Sequence, residues 1–191
     1  KNRLREQDIK HIVDAWDAQQ TIPHYCRLVE WSEIEKNDYN LNISRYIQPI
    51  DSEIQHDIEA HLHGGLPATD VENMEIFWKA CPTLKDKLFC GANNGYYSLM
   101  PKKEDINDVI DSDSSYKAQG EAFAKVLNGW KEDVEPKMMA INQGVHPKEL
   151  IADWSESLLA KTMEHSGLVD AYDTYDVLLN YWADTMQDDC Y

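Results

Sequence analysis

Apolar residues recur along this chain at helical intervals for most of its length. Ile9, Ile12, Val13 and Trp16 fall at i, i+3, i+4 and i+7, which predicts an amphipathic helix from Glu6 to Gln20. Tyr25 to Trp31 reads as a strand, and Ser32, with Glu35 three residues on, has capping-box spacing for a short helical turn. The period then changes. From Tyr39 to Ile47 polar and apolar residues alternate, which would put Tyr39, Leu41 and Ile43 on one face of an extended segment and Asn40, Asn42 and Ser44 on the other, with Pro49 closing it.

Helical spacing returns and dominates the remainder. A helix is expected over Ser52 to Leu62, ended by Gly64-Gly65, and another opens at Pro67 with Thr69 as its cap and Val71, Met74, Phe77, Trp78 and Cys81 on its inner face. Gly91 to Gly95 reads as loop, Tyr96 to Leu99 as a short strand, and Lys103 to Ile110 as weakly helical. Phe123, Val126, Leu127, Trp130, Val134, Met138 and Ile141 keep the helical interval, with Pro136 expected to kink or split the helix. Pro147 stands near the start of a helix carrying Leu150, Ile151, Trp154 and Leu158, and a last helix carries Val169, Tyr172, Tyr175, Leu178, Leu179, Trp182 and Met186. The fold class is therefore mainly α, a helical domain with a few short strands in the N-terminal third. The tryptophans at 16, 31, 78, 130, 154 and 182 lie mostly in apolar stripes and read first as core.

Length permits one large domain or two small ones, and no apolar run approaches the roughly 18 residues of a membrane helix. Lys1 to Lys10 is charged throughout, unlike a signal peptide. A chain that starts at Lys1 and stops at Tyr191 reads as an excised piece of a longer protein. Cysteines 26, 81, 90 and 190 form no paired motif, so reduced thiols in a cytoplasmic protein are expected.

Charge is uneven. Residues 1–48 hold 7 Lys and Arg against 8 Asp and Glu, whereas residues 49–191 hold 11 against 27, within a net charge of −17. The last 24 residues carry six aspartates and no basic residue. Such a surface repels phosphate, so the larger part should not grip DNA and suits solubility or a basic partner; nucleic acid would lie near the N-terminal end.

Candidate chemistry is sparse. His56, Asp57, Glu59, His61 and His63 resemble a metal cluster, but only Asp57 and His61 share a helical face, and a polar helix end is the first reading. His24 and Cys26 lack the orienting group that nucleophilic catalysis needs. Asp184, Asp188 and Asp189 read as a solvated acidic face that opposes the helix dipole, and Tyr96-Tyr97 as packing rather than a base-stacking platform. There is no glycine-rich phosphate loop, GxGxxG, GxSxG or HExxH, nor an Asn-Pro-Pro-Phe/Tyr motif for a flipped adenine. The residues by themselves describe a helical, acidic, non-catalytic module.

Three blocks add a resemblance. Leu4-Arg5-Glu6-Gln7-Asp8-Ile9-Lys10-His11-Ile12-Val13, Tyr25-Cys26-Arg27-Leu28-Val29, and Glu33-Ile34-Glu35-Lys36-Asn37-Asp38-Tyr39-Asn40-Leu41-Asn42-Ile43-Ser44-Arg45-Tyr46 resemble, in this order, the methylase (M) subunits of type I restriction-modification systems. The Asn-Asp-Tyr-Asn-Leu-Asn run is the most specific part, and Ser44 departs from the proline common in the family. The later segments Asp57 to Pro67, Gly95 to Leu99 and Tyr172 to Asp189 are similar to the C-terminal region of one subgroup.

The resemblance implies a parent that transfers a methyl group from S-adenosylmethionine to adenine in DNA, with its base taken out of the duplex. It implies a specificity subunit and a restriction subunit as partners, DNA bound through the full complex, no membrane, and a cytoplasmic setting. The family's catalytic and cofactor motifs match no position here, so no catalytic, cofactor-binding or metal-binding residue carries over and this piece is expected to be inert and to need no cofactor of its own. Residues 1–50 would be the tail of the methyltransferase core region and residues 51–191 an acidic helical domain that mediates subunit assembly. Asn37, Asp38, Tyr39, Asn40, Leu41, Asn42, Arg45 and Tyr46 carry over only as the family motif. Their first reading is bracing of the catalytic core, their second proximity to DNA. The alternative for the whole chain is a free-standing acidic interaction module or DNA mimic.

Overall fold

A computed structural model describes residues 3–47, 57–141, 146–165 and 167–186. The chain divides into two units, residues 1–55 and 56–191.

The first unit opens with α1 (Glu6–Ala18), whose N-terminus is closed by the Asp8 carboxylate accepting the Arg5 backbone N–H at 2.9 Å. Gln19 ends the helix in the left-handed conformation at φ 46°. The next expectation fails: Tyr25 to Trp31 is not a strand. Residues 22–26 form a tight turn joined by one Ile22–Cys26 bridge, with His24 at φ 61°, and no second strand is available to continue the pairing among the described residues. Helix α2 (Trp31–Lys36) follows, but Ser32 lies inside its first turn and Glu30 occupies the cap position without a side-chain bond.

The second unit is mainly α. Asp57 caps α3 (Ile58–His63) by accepting the Ala60 N–H at 3.0 Å, and Gly64 ends it at φ 76°. Gly65, at φ 104°, passes so close to Tyr96 that an added Cβ would sit 3.1 Å from its Cβ. The expectation of a helix from Ser52 begins outside the described residues. Strand β1 (Leu66–Pro67) pairs with β3 (Tyr96–Leu99), and β3 with β2 (Phe89–Asn93), giving an antiparallel sheet of order β1-β3-β2. Residues 91–93, expected as loop, thus belong to a strand; a register shift between Cys90 and Asn93 absorbs the glycine.

The helix expected from Pro67 is two helices, α4 (Ala68–Asn73) and α5 (Glu75–Ala80), with Thr69 inside the first turn rather than at its cap. The break at Met74 lets the Trp78 indole N–H reach the Val71 carbonyl at 2.5 Å. Helix α6 (Leu84–Leu88) and α7 (Ile106–Ser112) then build a core in which Cys81, Leu84 and Leu88 are buried against Trp78, Phe89, Ile106, Val109 and Ile110.

Helix α8 (Ser114–Met139) runs unbroken through Pro136. The proline does not split it, because the carbonyl it deprives, that of Glu132, lies on an exposed turn near the helix end, where water can replace the lost partner. Helix α9 (Pro147–Met163) carries Pro147 in its first turn, where no N–H is needed, and α10 (Ala171–Tyr181) passes into a π-helical turn, Trp182–Met186. Val134, Trp154 and Trp182 form a second buried core with Trp130, Leu150, Ile151 and Leu178 around it. The Trp154 and Trp182 rings meet edge-on at 5.7 Å.

A charged group lies between α6 and the start of α8. Asp113, wholly buried, caps α8 through the Ser115 and Tyr116 N–H groups at 2.8 and 3.0 Å and accepts the Ser115 hydroxyl. Its second oxygen accepts from Thr83 Oγ1 at 2.8 Å and Lys87 Nζ at 2.7 Å. Lys87 first, then the hydroxyls and amides, hold this carboxyl far below the ordinary carboxylate range. No helix among the described residues is long and apolar enough to cross a membrane.

Candidate functional site

The Asn-Asp-Tyr-Asn-Leu-Asn run is a loop, not the extended strand its alternation suggested. Asn37 ends α2, its amide donating to the Glu33 carbonyl at 3.1 Å. Asp38 and Tyr39 then both adopt φ 54°, two consecutive left-handed residues without a glycine, and the Tyr39 N–H reaches back to the Ile34 carbonyl at 3.0 Å. That reversal destroys the period-two geometry, since alternation of faces needs continuous extended backbone. Tyr39 folds over α2, with its hydroxyl 3.3 Å from Glu35 Oε1 and its ring 6.0 Å from Trp31.

The other asparagines also bond locally. Asn40 Oδ1 accepts the Asn42 N–H at 3.0 Å, and Asn42 Oδ1 accepts the Ser44 N–H and hydroxyl at 3.4 and 3.1 Å, capping a 3-10 turn, Ile43–Arg45. Tyr46 closes the loop by donating its hydroxyl to the Asn40 carbonyl at 2.5 Å. Asn37, Asp38, Tyr39, Asn40, Asn42 and Tyr46 thus form one hydrogen-bonded unit with α2. The side chains of Leu41 and Arg45 stand outside that bonding, and both residues are exposed.

Sequence reasoning did not single out Arg27. Its guanidinium donates to Glu33 Oε2 at 2.7 Å and to the Tyr46 carbonyl at 3.2 Å, tying the preceding turn to α2 and to the far end of the loop. The contact to Tyr46 spans 19 residues and leaves no local pattern; the only trace is that Arg27 belongs to the second resembling block. On the other side of the turn, the Tyr25 ring stacks on His11 of α1 at 3.9 Å, and burial pushes its hydroxyl above the ordinary tyrosine range. The Asp8 carboxyl is held below its ordinary range by the Arg5 side chain and backbone N–H.

The described residues of this unit form an apolar groove and a smaller pocket. An apolar groove of about 760 Å³ runs between α1 and residues 25–28, lined by Leu4, Ile12, Trp16, Tyr25 and Leu28 among others. A smaller pocket of about 330 Å³ lies between residues 21–27 and Arg45 to Ile47. The unit buries little of its own apolar surface: Gln7 is the only buried residue among those described, while Trp16 is 77% exposed, Trp31 69% and Leu41 72%. Trp16 and Trp31 are therefore not core, because most of each ring is left exposed by the rest of the unit.

In the second unit, Asp57 spends its carboxylate on the α3 cap and on the Tyr96 hydroxyl at 2.9 Å, and both contacts, the cap first, lower its pKa. Glu59 and His63 lie 3.5 Å apart, and no three metal-ligating side chains converge among the described residues. His56, Asp188 and Asp189 lie outside them.

Residues 1–55 match the family model described as N-6 DNA Methylase. The N-terminal unit is similar to N-6 DNA methylases. The methylase subunit of the type I restriction enzyme MjaVII of Methanocaldococcus jannaschii is 41% identical over 61 residues, 32% of this chain and 11% of that subunit. The MjaVIII methylase subunit of the same organism is 40% identical over 52 residues, 27% of this chain and 9% of that subunit. The aligned part thus spans about a tenth of these curated relatives. No solved structure matches the chain. The resemblance to type I methylase subunits holds, and residues 1–55, where the family model matches, include the Asn37–Tyr46 loop.

The family implies S-adenosylmethionine, and the residues present do not fit it. The described strands are short and antiparallel, and the Asn94-Gly95 connection between β2 and β3 is a hairpin turn, not a strand-to-helix loop whose N–H groups could cradle a nucleoside cofactor.

Proposed function

We propose that this chain is the C-terminal, non-catalytic part of the modification subunit of a type I restriction-modification system. Residues 1–50 are the tail of the methyltransferase core and residues 51–191 an acidic helical domain for subunit assembly. The parent transfers a methyl group from S-adenosylmethionine to adenine in DNA, alongside specificity and restriction subunits in the cytoplasm. The observation that carries the reading is the match over residues 1–55, which coincides with the unit whose large apolar side chains stand mostly exposed.

The loop's bonding supports bracing over DNA contact for Asn37, Asp38, Tyr39, Asn40, Asn42 and Tyr46. Asn37, Asp38 and Tyr39 bond to α2 and Asn40, Asn42 and Tyr46 bond within the loop, and the apolar groove and Leu41 offer a surface for the catalytic core. Co-expression of the chain with the catalytic half of a related type I methylase subunit tests this. Restored adenine methylation that neither piece gives alone is expected; methylation or tight S-adenosylmethionine binding by the isolated chain overturns it. The charge of residues 49–191 favours a second reading as a DNA mimic. That reading requires salt-sensitive capture of a DNA-binding protein without any catalytic half.

A further inference from the structure

The smaller pocket of the N-terminal unit is cationic within a chain of net charge −17, and no carboxylate-bearing residue lines it. Arg27 and Arg45 both line it, together with His24 and Thr21. Arg27 is fixed in place by Glu33 and the Tyr46 carbonyl. Arg45 is exposed and has no carboxylate partner among the described residues. The Thr21 hydroxyl oxygen accepts the Leu28 N–H at 3.2 Å, which leaves its hydrogen free to donate. One anchored guanidinium, one uncommitted guanidinium and a hydroxyl donor around a cavity of about 330 Å³ make a receptor for a tetrahedral oxyanion.

We propose that this pocket binds a backbone phosphodiester of DNA, with Arg45 as the principal charge and Arg27 and Thr21 as positioned donors. The proposal rests on the methylase reading, because the segment matched to the DNA methylase family contains every residue of the pocket. A single phosphate contact of this kind sets register on the duplex and reads no bases. It also divides the motif's labour: the asparagines and tyrosines hold the loop, and Arg45 projects from it.

The 191-residue chain, labelled for side-chain NMR, is titrated at low salt with two short duplexes of unrelated sequence and, separately, with inorganic phosphate. Low salt matters because the acidic remainder of the chain opposes DNA. The Arg45 and His24 signals are expected to shift with both duplexes alike. Arg45→Gln should weaken the response several-fold and lower the salt dependence by about one counterion, and Arg45→Lys should restore part of it. Arg45 makes no side-chain bond that the fold needs, so unchanged backbone signals will certify the variant. Response to inorganic phosphate alone, response to neither, or a duplex response untouched by Arg45→Gln overturns the site. Failed complementation with a positive titration removes the methylase reading and leaves the phosphate site; the converse removes only the site.

Discussion

The two units use similar residues to opposite ends. In the second, tryptophan and leucine are turned inward: Trp154 is 2% exposed, and Leu158, Leu159 and Val134 are each 3% exposed. In the first, Ile9, Ile12, Val13 and Trp16 form as clean an amphipathic stripe as any in the chain, yet all four stand exposed. Such a stripe is apolar surface that the described residues of its own unit leave largely uncovered. The second unit has its own interior; the first has a bonded loop, a greasy face and little interior. Their sequences differ accordingly in where their information is spent.

The largest expected effect tests the interior of the second unit. Trp154→Ala empties the centre of the α8–α9–α10 core and should cost about 3–5 kcal/mol, read as a lowered denaturation midpoint. Loss under 1 kcal/mol, on the order of a surface change, would erase the contrast between the units. Asp113→Ala comes next. It leaves Lys87, Thr83 and two helical N–H groups without their acceptor, and a Tm lower by about 5–10 °C is expected. The same carboxylate sets an acid dependence. Its folded pKa lies below the ordinary 3.8, so its contribution is complete above that value and is lost as pH falls beneath it. Asp113→Asn should flatten the acid limb of a Tm-against-pH curve.

Smaller changes probe the first unit. Tyr46→Phe removes the hydroxyl that closes the loop on the Asn40 carbonyl and should cost about 1 kcal/mol locally, seen as faster amide exchange at Tyr39 and Asn42. Leu41→Ala should change the stability of the isolated chain by less than about 0.5 kcal/mol, since the side chain is exposed. In the complementation assay the same substitution should weaken recovery of activity. Equal effects in both assays would mean that Leu41 packs within this chain after all.

Legibility in the sequence followed the same divide. Helices α1, α8, α9 and α10 were readable because their apolar intervals repeat over several turns, and the mainly α class rests on them. The loop was misread because alternation over Leu41, Asn42 and Ile43 looks like a strand, whereas the left-handed pair at Asp38 and Tyr39 has no sequence mark without glycine. Trp16 and Trp31 were misplaced for another reason: periodicity reveals that a face is apolar, not whether its partner lies in the same piece of chain. Arg27 was passed over because one side chain joining residues 33 and 46 has no period at all. The Met74 break escaped notice because both short helices keep the same register of apolar residues.

The partition of the indoles makes this chain its own reporter. Trp16 and Trp31 are wet, Trp154 and Trp182 dry, so an aqueous quencher should dim the first pair well before the second. Any body that settles on the N-terminal face would shield the vulnerable pair and shift its emission to the blue. Assembly can therefore be followed by light alone, without attaching a dye.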